Sequence, residues 1–510
     1  MENEGVSRSV SEEGWQPPLF AASTWTLIIT AISLFFVYDY SRRCQYLACN
    51  GIAGPKPKPF VGNLLDMIFH KDGIRGFYGD IIEKYGKVAG CYMGAIPTVV
   101  IGDVEWVQQL CIKDFSSFVN LKPITVDSKP FHKSLPTLRD SHWKDVRGIL
   151  SPTFSGSKMK LMAPIINDCL DPMIRKVTRL NQEGKGLEFK EVYSGFLIDA
   201  IGSTAFGLTL NSQENSDDPF LHNARDVIKF RFSIAFLVKM LAPILSPVVN
   251  FFNLTTFDRK TLKFFEDVLD HAIELKRAGT VKRVDFLQLM LNAQERTEDD
   301  KAEATEEEKQ EEEHRAKMSK KTLTADEIKS QGLIFFLAGF ETSGTTLGFA
   351  SYLLATNPEV QDKLVAEIDT LAPSRDDVTY ENLTKLTYLE WVISETLRLY
   401  PPGFLTTREA GCEYKHKGYT IPKGVQVHFD VWHIHHDPEH WEDPDKFNPE
   451  RFSPEQREKR HPCAFLPFGA GPRSCIGMRF ALLQVKMALV RMLQNFHLET
   501  CEETEVIQLV

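Results

Sequence analysis

The chain has 510 residues, 59 of them basic and 69 acidic, for a net charge of −10, with 43% hydrophobic and 25% charged side chains. That balance excludes a mainly disordered or collagen-like chain, and the length excludes a disulfide-stapled miniprotein. Length alone suggests about three domains. The nine cysteines are an odd number with no C-x-x-C pair, and they read as reduced thiols in a cytosol-facing body.

From Leu19 to Tyr38 run 20 residues without a charge. At about 1.5 Å per residue they span about 30 Å, the thickness of a hydrocarbon core, and predict a transmembrane anchor. No clear small-residue cleavage site follows, although a cleaved signal is the rival reading. Glu2, Glu4, Glu12 and Glu13 precede the stretch while Arg42 and Arg43 follow it. Residues 1–18 are therefore expected in the lumen and the body in the cytosol. The sequons at Asn253 and Asn382 would be glycosylated only with a cleaved signal. Residues 39–63, with Pro55, Pro57 and Pro59, predict a stiff hinge, and residues 64–510 the body. A second apolar stretch, Phe230 to Leu254, holds Lys239, Pro243 and Pro247, which oppose a second span. A core helix and a surface helix dipping into the membrane both remain open for it.

Helical patterns dominate from Trp143 onward, with strand-like pieces at Val99 to Ile101 and Val425 to Phe429. The connector 295–313 sets eleven acidic residues against Arg296, Lys301 and Lys309 and holds most of the net charge. It reads as solvated and flexible. The remainder is nearly neutral, so nucleic acid is not an expected partner. The longest helical pattern opens at Thr324-Ala325-Asp326-Glu327, which has capping-box spacing, and continues to about Thr356. It carries Ala338-Gly339-Phe340-Glu341-Thr342, a small-residue gap followed by an acid and an alcohol. Further on, Glu395 and Arg398 stand at i, i+3, and Arg451 in Pro449-Glu450-Arg451-Phe452 would complete a buried triad. His436-Asp437-Pro438-Glu439-His440 matches a zinc-protease pattern, but Pro438 opposes the helix that would bring both histidines to one face. No zinc site is expected there.

The sharpest segment runs from Phe468 through Gly469, Gly471, Arg473 and Cys475 to Gly477, with a helical pattern after it. Glycines let backbone approach a planar group, and the helix start is expected to lower the Cys475 pKa. With this loop in view the chain resembles the cytochromes P450 from the anchor nearly to its C-terminus. The proline-rich hinge, Trp143-x-x-x-Arg147, Ala338-Gly339-x-Glu341-Thr342, Glu395-x-x-Arg398, Pro449-Glu450-Arg451-Phe452 and the Cys475 loop occur in that family's order. A finer likeness is to the animal microsomal group that joins the family-3 drug and steroid oxidases with thromboxane synthase. LSPTF at Leu150 to Phe154, VDFLQLM at Val284 to Met290 and IGMRFAL at Ile476 to Leu482 resemble the former. LLATNP at Leu353 to Pro358 and HHDPEHW at His435 to Trp441 resemble the latter.

The resemblance implies a mainly α fold with small β-sheets, a single catalytic domain behind one N-terminal transmembrane helix. It implies haem b, with Cys475 as the axial thiolate on iron. Trp143, Arg147, Arg408 and Arg473 would neutralise the haem propionates, and Phe468 would pack by the thiolate. Thr342 and Glu341 would organise proton delivery during oxygen activation. Glu395, Arg398 and Arg451 would brace the proximal side. NADPH-cytochrome P450 reductase is the implied electron donor, cytochrome b5 a further partner, and the endoplasmic reticulum membrane the location. Lys144, Arg479 and Lys486 are candidates for a basic docking patch, with a plain solvated face as the other reading. Phe335, Phe336, Pro402, Phe404 and Leu405 suggest a pocket for a hydrophobic small molecule.

Thromboxane synthase has an apolar residue at the alcohol position, so Thr342 favours monooxygenation over endoperoxide isomerisation. Two departures stand out. Leu121 and Lys122 replace an arginine pair of the family-3 enzymes, and the chain is shorter at its C-terminus than relatives that continue through a strand pair touching substrate. A membrane-anchored haem protein without turnover is accordingly the third reading.

Overall fold

The computed structural model describes residues 19–121, 130–184, 186–215, 218–228, 233–241, 249, 251–252, 257–278, 285–295 and 323–505. Lys122, Pro243, Pro247, Asn253 and connector residues 296–313 lie outside the described residues.

Helix α1 (Leu19–Tyr46) runs past the apolar stretch, because nothing between Asp39 and Tyr46 breaks a helix. The first part of the expected hinge is therefore helical. The chain turns only at Gly51, in the left-handed conformation. Trp25, Leu27, Leu34 and Phe35 of α1 are exposed, as an anchor requires. The proline-rich part is not a free spacer either. Gly90 N donates to Ala53 O (2.8 Å), and Asn63 N donates to Tyr92 O (2.8 Å). The Asn63 side chain accepts from Tyr92 N (3.0 Å). The segment thus fills the open edge of the first strand, and Leu47 and Ile52 are buried beside it.

Six strands are described: β1 (Val88–Met93), β2 (Ile96–Ile101), β3 (Leu405–Glu409), β4 (Tyr414–His416), β5 (Tyr419–Ile421) and β6 (Gln426–Asp430). The main sheet has the order β1-β2-β6-β3, and β4 and β5 form a hairpin. The two strand-like pieces of the sequence pair with each other in parallel, Val99 against Val427 and Ile101 against Phe429.

Helices form the larger layer: α2 (Asp140–Leu150), α3 (Gly156–Gln182), α4 (Phe189–Phe206), α5 (Ala325–Thr356), α6 (Thr387–Leu399) and α7 (Met478–Leu493). Thr324 caps α5 with the expected capping box. Its N–H and hydroxyl both donate to Glu327 Oε2 (2.7 Å each). Helix α4 is buried on every side between α3 and α5, which is why its apolar residues show no helical face. Helix α5 packs in turn against α4, α6 and α7, so it crosses the body as its length demanded. Of the second apolar stretch, the described helix Ile234–Leu241 buries Phe236 and Met240. Leu237 on that helix is exposed, as are Phe251 and Phe252 beyond it.

Candidate active site

The Cys475 loop is closed by its own backbone. Cys475 N donates to Phe468 O (2.8 Å), Gly469 N to Leu466 O (3.0 Å) and Ser474 N to Gly471 O (2.9 Å). Gly469 and Gly471 both take positive φ inside that closure. Arg473 then spreads over three carbonyls, donating to Val119 O (2.8 Å), Leu135 O (3.1 Å) and Leu138 O (2.8 Å). Its guanidinium lies 4.0 Å from the Trp143 ring centre. Arg147 donates to Ser474 O (2.8 Å), so α2 touches the loop one residue before the thiol.

A cavity of about 270 Å³ opens between this loop and α5. Cys475, Trp143, Arg147 and Arg473 line it, and Ala338, Gly339 and Thr342 of α5 line it too. The Phe154, Phe286 and Phe335 rings add an aromatic wall, with centroids 4.4–5.5 Å apart. Thr342 donates its hydroxyl to Ala338 O (2.6 Å), bending the polar atom back onto the helix it comes from. Leu121, one of the two departures, stands in the cavity wall.

Electrostatics at one edge are unbalanced. Arg147, Arg408 and Arg473 make no ion pair among the described residues. Burial, followed by the charges of Arg408, Arg147 and Arg139, pushes Arg473 down to about 9. Trp143 Nε1 and Arg408 Nε are buried without a hydrogen-bond partner. Unspent donors and uncompensated cations beside an apolar cavity with a thiol fit a flat apolar group whose acidic edge meets the arginines. Haem has that chemistry. Cys475 itself differs from expectation. Burial raises its thiol pKa, and the N–H groups of Gly477 and Met478 together with Arg147 only oppose that rise. The helix-start effect is present, but desolvation wins.

Thr342, Trp143, Arg147, Arg473 and Cys475 thus share one cavity. Arg408 sits behind the loop, donating to Ala470 O (3.2 Å), and Phe468 also lies off the cavity wall. Glu341 faces elsewhere, paired with Lys190 of α4 (2.9 Å). Of the expected pocket residues only Phe335 lines the cavity. Phe336 is buried against Phe220 and Phe265 instead. In the expected docking patch Lys144 and Arg479 are exposed, whereas Lys486 is mostly buried and paired with Glu390 (3.2 Å).

The triad forms as expected. Glu395 meets Arg398 (2.7 Å) and Arg451 (3.2 Å), all three buried. A histidine just before the zinc-protease pattern joins it. His435 Nδ1 donates to Arg398 O (3.1 Å), and its Nε2 accepts from Leu466 N (2.8 Å), linking the triad to the Cys475 loop. Burial pushes His435 down to about 3, so it stays neutral and can accept. Its contacts are with residues distant in sequence, Arg398 and Leu466, and no local pattern carries them. The helix Val431–His436 ends before Pro438, and His436 Nδ1 donates to Trp432 O (2.9 Å). Asp437, Glu439 and His440 do converge, but Lys87 already pairs with both carboxylates (2.6 and 2.7 Å).

A family profile for cytochrome P450 matches residues 52–509. The chain is 37% identical over 497 residues to cytochrome P450 3A6 of Oryctolagus cuniculus, covering 96% of this chain and 93% of that protein. It is 38% identical over 499 residues to cytochrome P450 3A41 of Mus musculus, covering 96% and 94%. Cytochrome P450 3A9 of Rattus norvegicus is 36% identical over 495 residues, covering 96% and 93%.

Proposed function

The chain belongs to the cytochrome P450 family and is a monooxygenase of that family, and from that premise we propose that it inserts one oxygen atom of dioxygen into a hydrophobic small molecule such as a lipid, steroid or xenobiotic. The balance is R–H plus dioxygen, two electrons and two protons giving R–OH plus water. Haem iron supplies the dioxygen activation when bound. Cys475 would be its thiolate ligand. Arg147, Arg473 and Trp143 Nε1 would hold the propionate edge, with Arg408 adding charge from behind the loop. Phe468, whose carbonyl closes the loop, would pack by the thiolate. Thr342 would hold and pass a proton at its Oγ1, and Glu341 would feed that route from outside the cavity.

The observation that carries this reading is the joint presence of the Cys475 thiol and the Thr342 hydroxyl in one cavity whose edge is an unpaired arginine cluster. The alcohol favours oxygen insertion over rearrangement of an endoperoxide. Substrate recognition would rest on shape and apolar area, because the lining is mostly apolar and the Thr204 hydroxyl is committed to Ala200 O (2.6 Å). The body would face the cytosol behind a single endoplasmic reticulum anchor, residues 19–38. Electrons would come from NADPH through NADPH-cytochrome P450 reductase, with cytochrome b5 as a second donor.

The test has two stages. Carbon monoxide added to the reduced protein is expected to give the red-shifted Soret band of thiolate ligation; an unshifted band refutes the Cys475 assignment. Reductase, NADPH and a panel of apolar compounds should then yield hydroxylated product. A normal band with no product from any compound that shifts the spin state would favour a ligand-binding haem protein without turnover.

A further inference from the structure

The segment Pro130–Leu138 is tied to the first two turns of α5 by more contacts than its connection requires. Ser330 Oγ donates to Pro130 O (2.5 Å), and Lys133 pairs with Asp326 (2.9 Å). His142 of α2 pairs with Glu327 (2.7 Å), the residue that also caps α5. At the centre is Gln331, fully buried. Its Nε2 donates to Lys133 O (2.7 Å), and its Oε1 accepts from Leu135 N (2.8 Å). Leu135 is therefore gripped at both ends. Its N–H is held by Gln331, its carbonyl accepts from Arg473 (3.1 Å), and its side chain lines the cavity.

Gln331 lies seven residues before Ala338, about 10 Å along the same helix. A shift of α5, or of the Leu135 wall, is thus transmitted through one residue to the Arg473 guanidinium. We infer that Gln331 is a positioning residue for the haem edge: through Leu135 it fixes where Arg473 stands, and so ties the substrate-side helix to the charge beside the haem propionates. This rests on the haem reading above. Glutamine suits the task because one planar amide satisfies a backbone donor and a backbone acceptor together. An apolar residue of similar size fills the space and makes neither bond.

A matched control exists in the same molecule. Gln361 is also fully buried, donating to Leu498 O (2.9 Å) and accepting from Leu498 N (2.7 Å). It clamps a backbone segment in the same way, and neither it nor the residues it bonds, Leu354 and Leu498, line the cavity. Gln331→Leu and Gln361→Leu should lower the unfolding temperature alike. Only Gln331→Leu should release haem to apomyoglobin faster, by about fivefold, the effect of one lost hydrogen bond on a retained group. Its haem reduction potential should also move negative, because a loosened Arg473 stabilises the reduced iron less. Equal haem release and equal potentials in the two variants would overturn the inference.

If Gln331→Leu does not fold, Gln331→Glu serves. A protonated carboxyl there keeps both bonds, whereas an ionised one faces the Lys133 carbonyl. Haem release should then rise with pH beyond the wild-type profile, to which the flanking charged pairs Lys133–Asp326 and His142–Glu327 also contribute. A profile parallel to wild type would count against Gln331. Wild-type protein lacking the red-shifted carbon monoxide band would instead overturn the haem reading on which the inference stands.

Discussion

Three glycines of the Cys475 loop should differ sharply when each is changed to alanine, and the structure ranks them in advance. Gly477 has φ −85°, and a Cβ there would meet only Cys475 Sγ, at 4.0 Å, an ordinary contact. Gly477→Ala should fold with the wild-type unfolding midpoint. Gly469 has φ 71°, with Ser474 Cα as its nearest neighbour at 4.0 Å, so Gly469→Ala carries backbone strain alone, about 1–2 kcal/mol. Gly471 has φ 70° as well, but its Cβ would lie 1.9 Å from the Cys111 carbonyl oxygen. Cys111 is buried in a π-helical turn, Gln109–Lys113, so its carbonyl cannot swing aside as a side-chain tip would. The loop must withdraw by about 1 Å, adding about 1–3 kcal/mol of overpacking to the same strain. Arg473 and Cys475 follow within four residues and would leave with it. Unfolding midpoints should therefore fall in the order Gly477→Ala, Gly469→Ala, Gly471→Ala, and haem per protein, measured as the pyridine complex, should be lower in Gly471→Ala than in Gly469→Ala. Gly471→Ala retaining as much haem as Gly469→Ala would show that the Cys111 contact does not set the loop.

Thr342→Ala should keep the carbon monoxide band while product formed per NADPH drops several-fold, and Thr342→Ser should recover most of it; unchanged coupling in the alanine variant counts against the proton role. Asp430 is buried, with Oδ2 unpartnered, and burial raises its carboxyl to about 7. The folded state then holds that proton longer than the unfolded state, so this group's stabilisation is complete below about pH 4 and is lost as pH rises through 7, at about 1.4 kcal/mol per pH unit. Asp430→Asn should therefore unfold at a higher temperature than wild type at pH 8 and show no such advantage at pH 4. Glu395→Ala strands Arg398 and Arg451 as buried cations and should cost about 3–5 kcal/mol, read as a lower denaturant midpoint. A midpoint within about 1 kcal/mol of wild type would mean that the triad is not what holds the proximal side.

What the sequence made legible depends on how local its cause is. The capping box of α5 needs only Thr324 and Glu327, three residues apart, and it forms as read. The Cys475 loop is legible because its glycines answer to the backbone's own conformation. Glu395 and Arg398 sit on one helical turn, and the third member was legible only because Arg451 comes in a recognisable tetrapeptide. By contrast, the hinge looked free because its prolines lack donors, yet its non-proline residues supply the bonds that close the β1 edge. The partner strand begins more than twenty residues later, and nothing in the hinge announces it. Lys486 looked like surface for the same reason. Its carboxylate partner, Glu390, belongs to another helix.

The pairing of Glu341 with Thr342 shows where a motif and a helix part company. Adjacent residues on an α-helix point about 100° apart, so an acid and an alcohol in sequence need not look into one cavity. Thr342 faces the cavity, and Glu341 faces outward, where Lys190 at the start of α4 holds it at 2.9 Å. The motif therefore specifies two faces of α5, one carrying the reactive hydroxyl and one reaching toward solvent. At the small-residue gap between them the fit to α4 is tight: a Cβ on Gly339 would come within 3.2 Å of Ile201. The small residues thus serve two ends, room on the cavity side and close packing of α4 on the other, and it is α4 that brings Lys190 to the acid.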